Sequence, residues 1–350
     1  MTDWQWLLID FFQALAAGLL VGGTYGLMCV GLGIIFGVMR VVNFAQGDFM
    51  MLGMYVAYYL VTGFGVLVFL GPYIGPVVGA ALAGPVVYVI GWLLHKYLIS
   101  RVTGARVISA EAEGHYAQII LTLGIALVLA NGGLILFGST PLSVQTPLSR
   151  ESWEIGLIFI NQARAVSFVM AVICAIGLYL FLTRINLGKA LRAAADNPTA
   201  AAYVGIDVDR SHRIAFGLGV GITAIAGGLF AMSQSFQPYI GFDFVIVMYA
   251  GVVLGGMGSI LGAFWGGLTI GLVQQMSTLV LPYQLQNTAV FVVFLIIIFF
   301  RPQGMFGRVW ERTCWRANDA HSFGSTRRSR SSRSSILRSA SWCEIPTTSS

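Results

Sequence analysis

Charge is scarce in this sequence. Asp, Glu, Lys and Arg together make up 10% of its 350 residues, against roughly 25% in a typical soluble domain. The scarcity is also uneven. Residues 11–39, 49–94, 117–149, 165–183, 214–242 and 244–300 contain no Asp, Glu, Lys, Arg or His at all. A soluble enzyme is thereby excluded, because runs of this length without charge cannot be kept in water. Other absences narrow the chemistry. No G-x-x-x-x-G-K-[ST] phosphate loop occurs; Gly188-Lys189-Ala190 comes nearest and lacks both the leading Gly and the Ser/Thr, so the chain is not expected to hydrolyse ATP itself. No H-E-x-x-H pair and no His/Cys cluster is present, and His95, His115, His212 and His321 all fall in polar segments. No metal or cofactor is therefore expected. Of four cysteines, Cys29 and Cys174 lie within apolar runs, Cys314 and Cys343 do not, and none forms a C-x-x-C pair; the first two read as packing residues. The N-terminus has no basic stretch ahead of its first apolar run, which is too long for a signal core and is expected to insert and stay.

What is present is hydrophobicity, 57% of the residues. A helix needs about 20 apolar residues to cross the bilayer core, and backbone in lipid must satisfy its own hydrogen bonds. The charge-free windows are too long for barrel strands and do not alternate. The fold class expected is all-α, a polytopic transmembrane helical bundle with broken or short helices. Window 49–94 holds two helices, broken around Gly63, Gly65, Gly71 and Pro72. Window 244–300 holds two or three. Arg184, Lys189, Arg192, Arg210 and Arg213 mark segment 184–213 as cytoplasmic, and the chain beyond Phe300 is also rich in Arg. Equal sidedness demands an even number of spans between them, which favours three in 244–300, with breaks at Gly255–Ser259 and near Pro282. The total is about nine spans, within a range of eight to ten. Window 11–39, with Gly22 and Gly23 near its middle, reads as one long span or two short ones.

Glycine is abundant, at 43 residues, and much of it lies inside apolar runs, where small residues let helices approach closely. The cluster Gly255-Gly256-Met257-Gly258-Ser259 points to a sharp turn or an unwound segment at membrane depth, of the kind that frames sites in transporters. No acid, Lys or Arg falls in the middle of a predicted span, and Asp48 reads as an interfacial or capping acid. Carriers driven by ions often hold carboxylates at the midplane, so the pattern favours an external energy source or a passive channel.

Segment 184–213 is the most informative polar stretch. Residues 188–195 favour helix. Asn197 and Pro198 suit an N-cap and a first helical turn, Thr199 to Val204 suit a second short helix, and Gly205 is placed to end it. The product is a helix, a corner and a short helix. It serves either as a plain surface connection or, through Ala200, Ala201, Ala202 and Tyr203, as a docking element for a soluble partner.

These residues resemble the coupling loop of binding-protein-dependent ABC importer permeases, whose signature is E-A-A, three residues, then Gly. Thr199-Ala200-Ala201-Ala202-Tyr203-Val204-Gly205 fits it, with Thr in place of Glu. Gly23-Thr24-Tyr25-Gly26-Leu27, then Val42-Asn43-Phe44-Ala45-Gln46-Gly47-Asp48, is similar to the branched-chain amino acid permeases in particular. So are Gly241-Phe242, Val253 to Ser259, Arg301-Pro302-Gln303-Gly304 and Phe306-Gly307-Arg308. The resemblance covers roughly 1–308. It implies a non-catalytic importer subunit of the bacterial inner membrane, in contact with lipid. Its partners would be a second permease subunit, two ABC ATPase subunits and a periplasmic substrate-binding protein, with branched-chain or related amino acids as cargo. Urea and short-chain amide permeases share much of the pattern, and a passive channel for a small neutral solute is the reading from a different class. The ATPase contact is placed at Arg192, Ala193, Asp196, Asn197, Thr199, Ala200, Ala201 and Gly205. Candidates for the translocation path are Thr24, Tyr25, Asn43, Gln46, Gly255, Gly256, Gly258 and Ser259; for Asn43 and Gln46, helix capping or interhelical bonding is the competing reading. Gln234, Gln274 and Gln275 are weaker candidates.

The expected organisation is a transmembrane permease domain over 1–308 and a disordered, basic, Ser/Arg-rich tail over 309–350. The tail holds seven Arg against three acids, hence +4 of the net charge of +6. That balance is no nucleic-acid signature. The abrupt change of character makes the tail an adventitious extension, dispensable for transport.

Overall fold

The computed structural model describes residues 3–63, 71–103, 111–156, 158–282, 285–301 and 304–306. The proposed tail lies outside them, as do Cys314 and Cys343. Among the described residues nearly everything regular is helix. In chain order the α-helices are α1 (Asp3–Met39), α2 (Gln46–Thr62), α3 (Gly71–Leu94), α4 (Ser100–Thr103), α5 (Glu111–Phe137), α6 (Pro147–Arg150), α7 (Gln162–Arg184), α8 (Asn186–Asp196), α9 (Pro198–Tyr203), α10 (Val208–Ala231), α11 (Ile240–Gly255), α12 (Ile260–Ser277) and α13 (Gln286–Phe300). A π-helical turn, His95–Ile99, joins α3 to α4. Between α6 and α7 a small hairpin pairs β1 (Ser152–Ile155) with β2 (Ile158–Asn161). The sequence reading did not contain this hairpin.

Among the described residues five helices are long and apolar enough to cross a membrane: Gln5–Met39, Gly71–Ile99, Ala117–Phe137, Gln162–Arg184 and Val208–Ala231. Helices α2, α11, α12 and α13 are shorter, at 17, 16, 18 and 15 residues. The chain is thus a polytopic membrane protein. The expected break in window 49–94 falls between α2 and α3, and window 244–300 divides into three helices. Window 11–39 is one continuous helix rather than two. Its 37 residues span about 55 Å at 1.5 Å per residue, so its outer end projects well past a hydrocarbon core of about 30 Å.

Helices α1 and α10 form the centre. α1 packs on α7, α10, α11 and α12, while α10 packs on α2 and α3 as well. α10 is buried over most of its length and α1 over its inner half, whereas α5 and α7 turn much apolar surface outward to lipid. Glycine makes the central contacts possible. A Cβ on Gly22 would stand 2.7 Å from the Leu268 carbonyl oxygen, and one on Gly267 would stand 2.6 Å from the Gly26 Cα. α1 and α12 therefore meet backbone to backbone, held by dispersion rather than by hydrophobic transfer, which lipid does not supply between helices.

The two ends differ in charge. Arg40, Lys96, Arg101, Arg184, Lys189, Arg192, Arg210, Arg213 and Arg301 gather at one end; Arg150 and Arg164 lie at the other. Contacts tie the basic end together: Arg40 donates to the Ala195 carbonyl at 3.4 Å, Ser100 to Asp209 at 3.0 Å, and Arg213 lies over the Trp92 ring. By the positive-inside rule this end faces the cytoplasm. At the outer end, Gln13 of α1 exchanges two hydrogen bonds with the Phe159 backbone of β2, and Leu142 pairs with Phe236.

Candidate functional site

Two places collect the residues singled out in the sequence: the α8–α9 corner at the cytoplasmic end, and the start of α2 inside the bundle.

The corner is built as its residue types dictate. α8 lays Gly188, Leu191 and Ala194 inward and leaves Lys189, Arg192 and Asp196 outside. Asn197 then takes an extended conformation, and its side chain accepts from the Ala200 amide at 3.0 Å. Thr199 donates to the same oxygen at 2.6 Å, and Pro198 occupies the first turn, where its missing N–H is no loss. Gly205, at φ +90°, ends α9: its amide donates to Ala202, and the Ile206 amide reaches back to Ala201. A residue with a Cβ is strained in that conformation. Asp207 at once caps α10 through the Arg210 amide at 3.0 Å. The linkage is a rigid elbow, stapled at both ends.

The elbow sorts the residues assigned to ATPase contact. Asp196, Asn197, Thr199, Ala200 and Gly205 are exposed, as is Arg192, while Ala193 is half-buried. Ala201 is only 5% exposed, so it seats α9 against the bundle and offers no outward contact; the small-residue face expected at Ala200–Tyr203 is split accordingly. The outward apolar surface is Tyr203 and Val204, 92% and 82% exposed. Val204 was missing from the sequence list. The spacing gave no signal for it: residues three apart share a helix face, which would set Val204 beside buried Ala201, and it turns outward because α9 ends at Tyr203 and Val204 is its cap.

The second place lies within the bundle. After α1 ends, residues 40–45 do not stay at the surface but run back into it, with Arg40 at φ +54°. Gln46 opens α2 at the depth of Gly219 and Thr223 of α10, donating to the Gly219 carbonyl at 3.3 Å and to Thr223 Oγ1 at 2.6 Å. Thr223 also lies against Gly31 of α1. Gly31 is eight residues from the inner end of α1, about 12 Å at 1.5 Å per residue. The start of α2 is therefore near mid-depth. Asn43 donates to Gln46 Oε1 at 3.0 Å and accepts from the Ala45 amide at 3.2 Å. Both side chains are fully buried and fully engaged, the arrangement that capping and interhelical bonding predict. Asn43 also lines a small enclosed crevice with Ile35, Ile99, Gln118, Thr122 and Phe216.

α11 starts at the same point. Gly47 and Gly241 pack so closely that a Cβ on Gly47 would run into the Gly241 carbonyl. One turn along α11, Phe244 joins Phe230 and Tyr25 in an aromatic cluster, with ring centroids 4.9 Å and 5.8 Å from its own. Tyr25 and its neighbour Thr24 are buried. Beside Gly241 lies Asp48. Expected from the sequence to be an interfacial or capping acid, it stands in the first turn of α2 but is buried to 2% exposure, because the chain re-enters the bundle before α2 begins.

The remaining candidates fall elsewhere. Gly255, Gly256, Gly258 and Ser259 form the turn between α11 and α12, with φ of +98° at Gly256 and +88° at Gly258, and Ser259 caps α12 through the Gly262 amide at 3.1 Å. Of the two forms expected, a sharp turn or an unwound segment, it is the turn, and it lies beside Gly37 at the inner end of α1. The Met305 and Phe306 amides bond to Leu254 and Gly255 and clamp it. Unwound backbone runs inside the bundle at residues 41–45. Gln274 bonds Asn287 across α12 and α13 at 3.1 Å. Gln234 lines an outer pocket of about 220 Å³ with Ser143, Gln145, Arg150, Ser233 and Ser235, where α10 gives way to α11. Among the described residues no group of three His, Cys, Asp or Glu could hold a metal.

Comparison with known proteins bears on this geometry. Residues 14–300 match a family model described as "Branched-chain amino acid transport system / permease component". The chain is similar to the high-affinity branched-chain amino acid transport system permease protein LivH of Escherichia coli, 27% identical over 307 residues, covering 85% of this chain and 96% of that one. The corresponding protein BraD of Pseudomonas aeruginosa is 30% identical, with the same coverage. A probable branched-chain amino acid transport permease of Methanocaldococcus jannaschii is 32% identical over 72% of this chain and 76% of its own. No solved structure matches.

Proposed function

The chain belongs to the family of branched-chain amino acid transport permeases, multi-pass, non-catalytic components of ABC transporters of the bacterial inner membrane, and from that premise we propose its place in an importer. It forms one half of a transmembrane path for branched-chain or related amino acids. A second permease subunit supplies the other half, and a periplasmic binding protein delivers cargo to the outer face. Two ATPase subunits dock at the cytoplasmic end, one of them on the α8–α9 elbow. The observation that carries this reading is the elbow itself. It holds a large aromatic and a branched aliphatic side chain in water, on backbone capped at both ends. Exposed apolar anchors on rigid backbone are what a protein interface uses at its centre. Movement of the ATPases would be passed through α8 to α1, α7 and α10, on which α8 packs, and would switch the bundle between its two faces.

The test is to replace Tyr203 or Val204 with Asp. Either change should lower co-purification of the ATPase at least tenfold, since truncating a central interface anchor costs about 2 kcal/mol or more. The amount of permease in the membrane should stay the same, because both side chains are free of the bundle. Undiminished co-purification would reject the elbow as the docking element.

A further inference from the structure

We propose that Asp48 is the counter-charge that receives the ammonium group of an amino acid in transit; this rests on the cargo class proposed above.

Gln46, two residues earlier, has its donors and its acceptor all engaged. Asp48 is treated differently. It is as buried as its neighbours, yet its Oδ1 has no hydrogen-bond partner, and no cation pairs with it among the described residues. An ionisable group near the middle of a bilayer is costly, and it is kept where it meets a partner of opposite charge during function. None of the described residues plays that part.

The surroundings suit a zwitterion with an apolar side chain. Asp48 lies where the first turns of α2 and α11 meet, and helix N-termini favour negative charge. That holds a carboxylate in place without neutralising it. Gly241 leaves the room: a Cβ there would stand 2.8 Å from Oδ1 and 2.9 Å from the Asp48 amide nitrogen. One turn further along α11 is the Tyr25–Phe230–Phe244 cluster, which offers aromatic surface to an aliphatic side chain whose ammonium rests on Asp48. The site is closed here. Its opening requires α2 and α11 to part at the Gly47–Gly241 contact, where no side chains interlock.

The experiment uses the full complex in proteoliposomes, with binding protein outside and ATP within. D48N should cut leucine uptake at least tenfold while membrane level and ATPase co-purification remain those of the wild type, and D48E should restore part of it. Uptake by D48N within twofold of wild type would overturn the assignment. A second measurement needs no variant. A carbodiimide that enters lipid should modify Asp48 of the wild-type complex during ATP turnover, as read by mass spectrometry, and saturating leucine-loaded binding protein should slow that modification at least threefold. Absent labelling, or labelling indifferent to leucine, would overturn the proposal. The two readings fail separately: a wild-type complex that carries no amino acid removes the cargo class and this role with it, whereas one that carries leucine as well with D48N removes this role alone.

Discussion

Gln46 and Ala201 show how much depends on single side chains that face inward. Gln46 bridges Asn43 of the re-entrant segment to Gly219 and Thr223 of α10. Q46L would keep the volume and strand the Asn43 amide in a dry interior, a penalty of about 1–3 kcal/mol for a buried group left unpaired, while Thr223 and Gly219 of α10 keep their own bond. Its melting temperature in detergent should fall by several degrees, with the chain still inserted; an unchanged melting curve would contradict the clasp. Ala201 makes the complementary case at the elbow. Placing Asp there should release α9 and lower both permease stability and ATPase binding, whereas Y203D should lower only the second. That split, read from thermal unfolding beside co-purification, separates the residue that seats the elbow from the one that meets the partner.

Helix-scale contacts are set by glycine at close approach. G267L would force α12 off α1 at backbone, not side-chain, contacts, so no rotamer change can absorb it. The variant should leave the monodisperse peak in size-exclusion chromatography, and a wild-type elution profile would refute the packing. At Gly205 a β-branched residue meets open space but a φ of +90°, a strain of about 1–3 kcal/mol. G205V should therefore weaken ATPase stimulation while the bundle stays folded. Elements of this kind were largely legible in the sequence. Charge-free windows located the helices because lipid admits no other backbone, and Asn197, Pro198 and Gly205 announced the elbow because each residue type suits one position in it. The depth of α2 was not legible. The motif from Asn43 to Asp48 follows Arg40, so the sequence puts it at a span boundary, and only the hydrogen bonds of Gln46 to α10 reveal that the chain turns inward. The same gap left the burial of Asp48, read as an interfacial or capping acid, out of sight. Hydropathy records which residues tolerate lipid, and it carries no coordinate along the membrane normal for a polar residue satisfied inside the bundle.

For the whole molecule the division of labour is clear. Charge is concentrated at one end, the centre is a glycine-packed pair of long helices, and the broken helices α2 and α11 meet at mid-depth beside the only carboxylate buried there among the described residues. Residues 311–350 are expected from their composition to be dispensable, so a chain ending at 310 should import at the full rate; lost uptake would give the tail a role. The central claim is that this chain moves its cargo with energy supplied by others. The most direct measurement is uptake of labelled leucine, valine, a polar amino acid, urea and a short amide into proteoliposomes holding the two permeases and the ATPase, with and without internal ATP and external binding protein. The account predicts accumulation of the branched-chain amino acids that vanishes when ATP, the ATPase or the binding protein is left out. Uptake by the purified permease chain alone, unaffected by any of the three, would contradict it.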